Sequence, residues 1–294
     1  MQNITPQLLS PMLLAKIPAQ ITLALKEDIG ENIGNEDLTA HLIDALKTMT
    51  AHIICREAAV ICGIEWVNEV FKQVDSQSRI EWLITEGERV KPNQMLCKIT
   101  GFARSLLTSE RAALNFLQTL SATATATQKY VNAIAGTNAR ILDTRKTIPN
   151  MRLAQKYAVT VGGGLNQRIG LYDGILIKEN HITAAGSVTA AIMAAFKIQA
   201  TQPNITVQIE VENLSQLIEA LNAGAKSILL DNFHTDLLVQ AVKLTDKRAI
   251  LEASGGITLE NVREIAETGV DRISIGSITK HIQAVDLSMR FKTH

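Results

Sequence analysis

A chain of 294 residues can hold one large barrel or two ordinary domains, and its 46% apolar and 20% charged residues exclude intrinsic disorder, collagen and coiled coil. Lysine plus arginine (29) balances aspartate plus glutamate (29), so no net positive charge attracts nucleic acid or an anionic membrane. The three cysteines, Cys55, Cys62 and Cys97, lack CxxC spacing, which argues against a disulfide framework and a structural zinc site and favours a cytoplasmic protein.

The N-terminal part of the chain has the pattern of a mixed domain. Runs of apolar and β-branched residues predict strands over 51–62, 79–84 and 94–100, and the spacing of apolar residues predicts a helix over 63–74. No apolar run reaches the roughly 18 residues of a membrane-spanning helix, and the N-terminus lacks the basic start of a signal peptide. We therefore predict a soluble protein with an N-terminal α+β sandwich domain over 1–115.

One long helix is predicted next, over 106–135. Thr108 is a candidate N-cap, which places Arg111 in the first turn, and Leu114, Leu117 and Leu120 follow at helical spacing. The segment SATATAT alternates with period two, as a strand does, but small residues on a helix also let neighbouring elements approach closely.

Strand and helix patterns alternate through the rest of the chain. Strands are predicted over 139–143, 174–178, 205–211, 226–231, 248–254 and 272–276, with helices over 151–159, 187–200, 213–223, 234–244 and 258–268. Repeated βα units of this length predict a parallel sheet. Six clear strands, with a seventh near Val159, favour a barrel domain over 116–278. We expect residues 279–294 to form a C-terminal helix that packs back on the N-terminal domain.

Several predicted strands end in basic residues, at the edge where a parallel barrel places its active site. Arg145 and Lys146 follow one strand, Lys178 closes another, and Arg168 follows three glycines. A surface charge pair and a flexible glycine loop are the alternatives for the first pair and for Arg168. If all four side chains face one cavity, they suit a substrate with several negative charges.

Acidic and glycine residues complete this predicted strand-end site. Glu210 and Asp231 lie on successive strands and are candidate ligands of Mg²⁺, directly or through water, with salt bridges to the lysines as the alternative. The two last βα turns can offer backbone N–H groups to a phosphate. Their candidate residues are Ser254, Gly255, Gly256, Gly276 and Ser277.

With these residues in place, the chain resembles the quinolinate phosphoribosyltransferases, also called nicotinate-nucleotide pyrophosphorylases (carboxylating). The matching segments are in family order and span nearly the whole chain. They are ALKEDIG (24–30) with Asp37, Leu38 and Thr39, TSERAALN (108–115), LDTRKTIP (142–149), KYAVTVGGGLNQR (156–168), LIKENHI (176–182), EVEN (210–213), LLDNF (229–233) and EASGGI (252–257). The combination of DTRKT with IKxNHI is highly specific.

The resemblance implies an α/β fold with a C-terminal seven-stranded TIM-like barrel, and a homodimer or hexamer whose sites lie between subunits. It implies quinolinate and phosphoribosyl pyrophosphate as substrates, with Mg²⁺. Arg111 of a partner subunit would join Arg145, Lys146, Arg168 and Lys178 around quinolinate. Glu210 and Asp231 would hold the ribose hydroxyls and the metal pyrophosphate, with Lys146 stabilising the leaving group, and the glycine turns would bind the 5′-phosphate.

The chain departs from the family pattern at position 167, where the motif usually reads NHR and this chain has Gln167. Glutamine can donate a hydrogen bond to a carboxylate but cannot become cationic. This keeps open a same-fold phosphoribosyltransferase for another acid, including the molybdenum-associated homologues. A noncatalytic sugar-phosphate binding protein is the rival from a different class, although Lys146, Lys178, Glu210 and Asp231 are all present.

Overall fold

The computed structural model describes residues 10–31 and 37–292 and has a mixed α/β fold. The chain divides into two compact units. The first takes its described residues from Met1–Ala126, Leu153–Gly163 and His281–His294, and the second consists of Thr127–Arg152 and Gly164–Lys280. The predicted N-terminal domain includes residues 1–9 and 32–36, which lie outside the described residues.

The strands form an antiparallel group and a parallel group. They are β1 (Thr48–Cys55), β2 (Ala59–Val60), β3 (Arg79–Trp82), β4 (Arg89–Val90), β5 (Gln94–Phe102), β6 (Arg140–Leu142), β7 (Gly174–Ile177), β8 (Thr206–Val211), β9 (Ser227–Asp231), β10 (Ile250–Ser254), β11 (Arg272–Ser274) and β12 (Leu287–Phe291). In the first unit, an antiparallel sheet has the order β12-β1-β5-β3, and β2 pairs with β4. In the second unit, a parallel sheet has the order β6-β11-β10-β9-β8-β7.

Among the described residues, two α-helices precede β1 and the others follow it, and in the second unit they alternate with the strands as the predicted βα pattern requires. The helices are α1 (Pro11–Leu14), α2 (Ile17–Ile29), α3 (Ile64–Val74), α4 (Ala103–Ala133), α5 (Arg152–Val161), α6 (Glu179–Ala185), α7 (Val188–Thr201), α8 (Leu214–Asn222), α9 (Thr235–Thr245), α10 (Val262–Glu267) and α11 (Ser277–Lys280). Within the described ranges, no single helix is long and apolar enough to cross a membrane, and the bent pair α6–α7 meets that criterion only when both helices are counted together.

Apolar burial explains both sheets. In the first unit, Ile53 of β1 and Ile99 of β5 are fully buried, and α3 buries Trp66, Val67 and Val70 on one face. In the second unit, β9 buries Ile228, Leu229 and Leu230 in succession, which is typical of a parallel strand covered on both faces. Because these six strands are parallel, their carboxyl ends meet at one edge of the sheet.

A seventh chain segment lies beside β6, although not where the sequence pattern placed it. Val159 belongs to α5, so the predicted strand near it is wrong. Instead Leu165 forms a parallel bridge with Leu142, and its backbone N–H donates to the Ile141 carbonyl at 2.8 Å. The pairing is confined to this one residue, which explains why no strand pattern marks it.

Two other predictions are corrected. The predicted C-terminal helix over 279–294 is wrong, because after α11 the described residues form β12, whose sequence LSMRF pairs antiparallel with β1. The last two residues lie outside the described part. Thr108 is not an N-cap, because α4 begins at Ala103, directly after β5, and the Thr108 hydroxyl donates to Asp37 Oδ2 at 2.8 Å.

Candidate active site

A cavity of about 410 Å³ opens at the carboxyl ends of the parallel strands. It is lined by Thr144, Arg145, Lys146, Gln167, Arg168, Leu176, Lys178, Glu210, Leu229, Asp231, Glu252, Ser254 and Ser274. The structure thus brings the four predicted basic residues and the two predicted carboxylates together in the second unit. Arg111 lies on the exposed side of α4, in the first unit, and is not among the lining residues.

Two guanidinium groups stand close together on one side of the cavity. Arg168 donates through Nη1 to the Gly174 carbonyl at 2.8 Å, and burial, with Arg145 nearby, lowers the pKa of Arg168. Arg145 Nε is buried without a hydrogen-bond partner in the described residues. Neither arginine forms an ion pair there, although the charge of Asp173 opposes the fall in the Arg168 pKa, so the pair is a basic site for an anion.

Arg152 and Asp173 fix the loops that carry these arginines. The Arg152 guanidinium donates to Thr147 Oγ1 at 3.2 Å and to the Ile169 carbonyl at 3.1 Å. The Asp173 carboxylate accepts the backbone N–H groups of Ile169 and Gly170 at 2.7 and 2.8 Å. Sequence reasoning missed both residues, since each acts on backbone groups that a pattern of strand ends does not reveal.

Lys178 and Glu210 form the closest charged contact of the cavity, with Lys178 Nζ 2.5 Å from Glu210 Oε2. Lys178 is the N-cap residue of α6, and its backbone N–H donates to His181 Nδ1 at 3.0 Å. This contact fixes the backbone from which the lysine extends. The salt-bridge alternative for Glu210 is thus present, at a position that still lines the cavity.

Asp231, at the end of β9, shares the cavity with the carboxylate of Glu210. Burial raises the pKa of Asp231, and the Glu210 carboxylate raises it further, against the opposing effects of Lys178, Lys146 and a hydrogen bond from Asn232. Two carboxylates that repel each other are a place where a dication is favoured. In the described residues, however, no group of three or more His, Cys, Asp or Glu could hold a metal ion unaided.

Gln167 and the buried Glu252 lie in the floor of the cavity, and Gln208, which does not line it, contacts both. Gln167 Nε2 lies 2.7 Å from both carboxylate oxygens of Glu252 and 3.0 Å from Gln208 Oε1. Gln208 Nε2 donates to Glu252 Oε2 at 3.0 Å. Sequence reasoning missed Gln208 and Glu252, because a polar residue inside a strand does not show which way it points.

The predicted phosphate-binding residues are not brought into one cavity, and Gly276 and Ser277 line neither of the two cavities that hold the others. Ser254 lines the cavity, whereas Gly255 and Gly256 line a neighbouring cavity of about 540 Å³ beside the start of α9. Gly276 lets the Lys146 side chain pass, since a Cβ there would lie 3.1 Å from Lys146 Cδ. The Oγ atoms of Ser277 and Ser274 are buried without partners in the described residues, and of the two only Ser274 belongs to a residue that lines the cavity.

Comparison with known proteins shows which family the chain matches. The family model of the quinolinate phosphoribosyl transferase N-terminal domain matches residues 37–121, and that of the C-terminal domain matches residues 123–290. A probable nicotinate-nucleotide pyrophosphorylase (carboxylating) of Bacillus subtilis is 39% identical over 259 residues, covering 88% of this chain and 89% of the other. The nicotinate-nucleotide pyrophosphorylase (carboxylating) of Mycobacterium leprae is also 39% identical, covering 92% and 95%.

A solved structure extends the similarity to three dimensions. The nicotinate-nucleotide pyrophosphorylase from Francisella tularensis superposes with a TM-score of 0.88 at 44% identity, covering 94% of this chain and 97% of that one. The two domain models together span both the antiparallel and the parallel sheet. Because sequence, domain order and fold agree over nearly the whole length, the chain belongs to the quinolinate phosphoribosyltransferase family.

Proposed function

We propose that the protein transfers the phosphoribosyl group of phosphoribosyl pyrophosphate to quinolinate with decarboxylation, giving nicotinate mononucleotide, pyrophosphate and CO2 for NAD biosynthesis. One observation carries the proposal. Arg145 and Arg168 stand side by side in the cavity without an ion-pair partner in the described residues, and a ring with two adjacent carboxylates would supply partners for both.

The order of charges along the cavity supports a second, phosphorylated substrate. Lys178 pairs with Glu210, Lys178 and Lys146 act on the charge of Asp231, and Ser254 lies next to Asp231 on the neighbouring strand β10. The carboxylates suit the ribose hydroxyls, and Lys146 suits the pyrophosphate, whose negative charge grows as it leaves. The ring nitrogen then forms a bond to the anomeric carbon while the carbon–oxygen bond to pyrophosphate breaks.

Decarboxylation follows from the charge of the ring. After transfer, the ring nitrogen is cationic and accepts the electron pair of the carbon–carboxylate bond as CO2 leaves, and a proton from solvent completes the ring carbon. The arginines hold both carboxylates during transfer, and the remaining carboxylate stays bound as CO2 leaves. We therefore infer that the chain's residues act by orientation and electrostatics, without a covalent intermediate.

Mg²⁺ belongs to this proposal as a partner of the pyrophosphate. Glu210 and Asp231 would hold it together with the substrate oxygens, because two protein carboxylates are few for a cage made by protein alone but enough for a Mg²⁺ ion that is completed by phosphates and water. When bound, the ion supplies charge neutralisation on the departing pyrophosphate. We expect excess chelator to abolish turnover, and full activity in chelator would contradict this part of the proposal.

We also propose a homodimer, on its own or within a hexamer, in which Arg111 enters the partner's cavity. The exposed position of Arg111 on α4 supports this.

We further propose that the second unit is a barrel of seven strands. The single-residue bridge between Leu165 and Leu142 supports a seventh strand beside β6.

The test is an assay of purified protein with phosphoribosyl pyrophosphate, Mg²⁺ and one acid at a time. With quinolinate we expect pyrophosphate and CO2 in equal amounts, whereas nicotinate, which lacks the second carboxylate, should release little pyrophosphate and no CO2. Turnover of a different acid in preference to quinolinate would favour the same-fold transferase for another acid. Binding of phosphoribosyl pyrophosphate without turnover of any acid would favour the noncatalytic binding protein.

A further inference from the structure

Glu252 is a fully buried carboxylate in the floor of the cavity. Among the described residues it forms no ion pair, and its oxygens are met by the side-chain amides of Gln167 and Gln208, at 2.7 to 3.0 Å. Burying a carboxylate without a cation is costly unless hydrogen bonds satisfy it. The two glutamines are therefore needed to keep this carboxylate in the floor.

Gln167 is in turn occupied by this contact. Its two amide hydrogens face the Glu252 carboxylate and Gln208 Oε1, and its own Oε1 accepts the backbone N–H of Arg168 at 3.2 Å. Its backbone N–H donates to Asp143 Oδ1 at 2.8 Å. With both amide hydrogens engaged, Gln167 has none to give a substrate carboxylate, and it connects protein groups to one another.

The groups that it connects lie on different strands. Gln208 is on β8 and Glu252 is on β10, whereas Gln167 belongs to the segment beside β6 that carries Arg168. Since that segment pairs with β6 only at Leu165, these side-chain contacts add to the hydrogen bonds with Arg152 and Asp173 that hold it. These contacts matter because the positive charges of Arg168 and Arg145 repel each other.

We propose that Glu252 is a positioning residue for the acid substrate, which holds Arg168 in place through Gln167. The inference rests on the proposed function, since the acid is the group that Arg168 binds. Its effect belongs to the binding of the acid and not to bond breaking, so it should appear in the KM for the acid and leave kcat and the KM for phosphoribosyl pyrophosphate nearly unchanged.

The decisive variant is Glu252→Gln, which keeps the shape but replaces one acceptor oxygen by a donor that faces other donors. We expect the KM for quinolinate to rise about tenfold, the usual effect of losing one hydrogen bond to a charged group, with kcat within about twofold. Gln167→Leu should have the same effect, and Gln167→His, which keeps an N–H donor toward Glu252, should restore a near-normal KM. The double variant Glu252→Gln/Gln167→Leu should be no worse than either single variant.

Glu86→Gln is the matched control. Glu86 is another mostly buried carboxylate, in the first unit, where it accepts the backbone N–H groups of Gly63 and Ile64. The same substitution there should lower the melting temperature without changing the KM for quinolinate. If Glu252→Gln does not fold, Gln167→Leu provides the test, since it removes the same connection without adding a donor.

Two failures are distinguishable. If the wild-type protein does not turn over quinolinate, the proposed function is wrong, and the same KM comparison is made with the acid that it does use. If the wild type uses quinolinate but Glu252→Gln lowers kcat at constant KM, or raises both KM values equally, the positioning role is overturned. Failure of Gln167→His to restore the KM would also overturn it.

Discussion

At the scale of single residues, the carboxyl of Asp231 gives the clearest prediction of pH dependence. Its pKa is raised by burial and by Glu210, and a protonated carboxyl cannot bind a metal pyrophosphate. Activity should therefore be present above the raised pKa and be lost as the pH falls through it, at a pH above the ordinary aspartate value of about 4. We expect this acid limb in kcat/KM for phosphoribosyl pyrophosphate, measured between about pH 4 and 8.

Asp231→Asn tests the assignment of that limb. The variant should retain a low activity whose acid limb has shifted or vanished, because the titrating group is gone. An unchanged limb on the remaining activity would assign the ionisation to another group.

Lys178 gives the second prediction at this scale. Its side chain is about half exposed and pairs with Glu210, and such pairs contribute roughly 0–1 kcal/mol to stability. Lys178→Ala should therefore change the melting temperature little. It should reduce kcat/KM for quinolinate by a factor of about 100 or more, because a bound carboxylate would be left without its cation. Lys72→Ala, which removes the exposed pair with Glu69 on α3, is the control that should leave both measurements unchanged. A folded Lys178→Ala protein with normal kinetics would make Lys178 a solvated surface residue.

The residues that the sequence revealed differ physically from those it did not. Lys178 and Asp231 end apolar strands, where a charged side chain must reach solvent or bind a partner. Glu252 lies within a strand between Leu251 and Ala253, so its direction depends on the register of β10 with its neighbours, which the chain alone does not state. The direction of the Gln208 side chain on β8 could not be predicted for the same reason.

At the scale of elements, the loop after β10 depends on Gly255. The residue has φ +98°, and a Cβ there would lie 2.0 Å from Asn232 Oδ1, in the loop after β9. Gly255→Ala should therefore lower the stability by at least the roughly 1–2 kcal/mol of a left-handed residue and raise the KM for phosphoribosyl pyrophosphate. Gly186→Ala, at φ +90° with no atom within 4 Å of its Cβ, isolates the backbone strain from the clash. Equal effects of the two variants on the KM would contradict a role of this loop in binding the phosphate.

Local periodicity predicted most elements of the second unit well, because strands and helices such as β9 and α9 bury apolar residues of their own. β9 and α9 lie within a residue of their predicted bounds, whereas α6, which buries none of its residues, was not predicted. Elements defined by distant partners were not predicted. β12 is a strand because β1 offers it an edge, and α4 extends back to Ala103, beyond the Thr108 signal, because β5 runs directly into it. Pairing between strands that are far apart in the sequence produces no periodic pattern of apolar residues in either strand.

At the scale of the whole molecule, exchange of Arg111 between subunits can be tested by complementation. Arg111→Ala and Lys178→Ala homodimers should each be nearly inactive. After subunit exchange in an equal mixture, half of the dimers are mixed, and each mixed dimer has one site with both residues intact. Activity should return to roughly a quarter of the wild-type value.

A second mixture, of wild type with the Arg111→Ala/Lys178→Ala double variant, makes the result decisive. If Arg111 acts in the partner's site, every mixed dimer has two defective sites, and only the wild-type dimers, about a quarter of the total, remain active. If Arg111 acts within its own chain, each mixed dimer keeps one intact site, so this mixture should retain about half of the activity while the first recovers none. A fluorescent label on one partner confirms that exchange is complete. If the second mixture keeps half of the wild-type activity and the first mixture recovers none, Arg111 acts in the site of its own subunit.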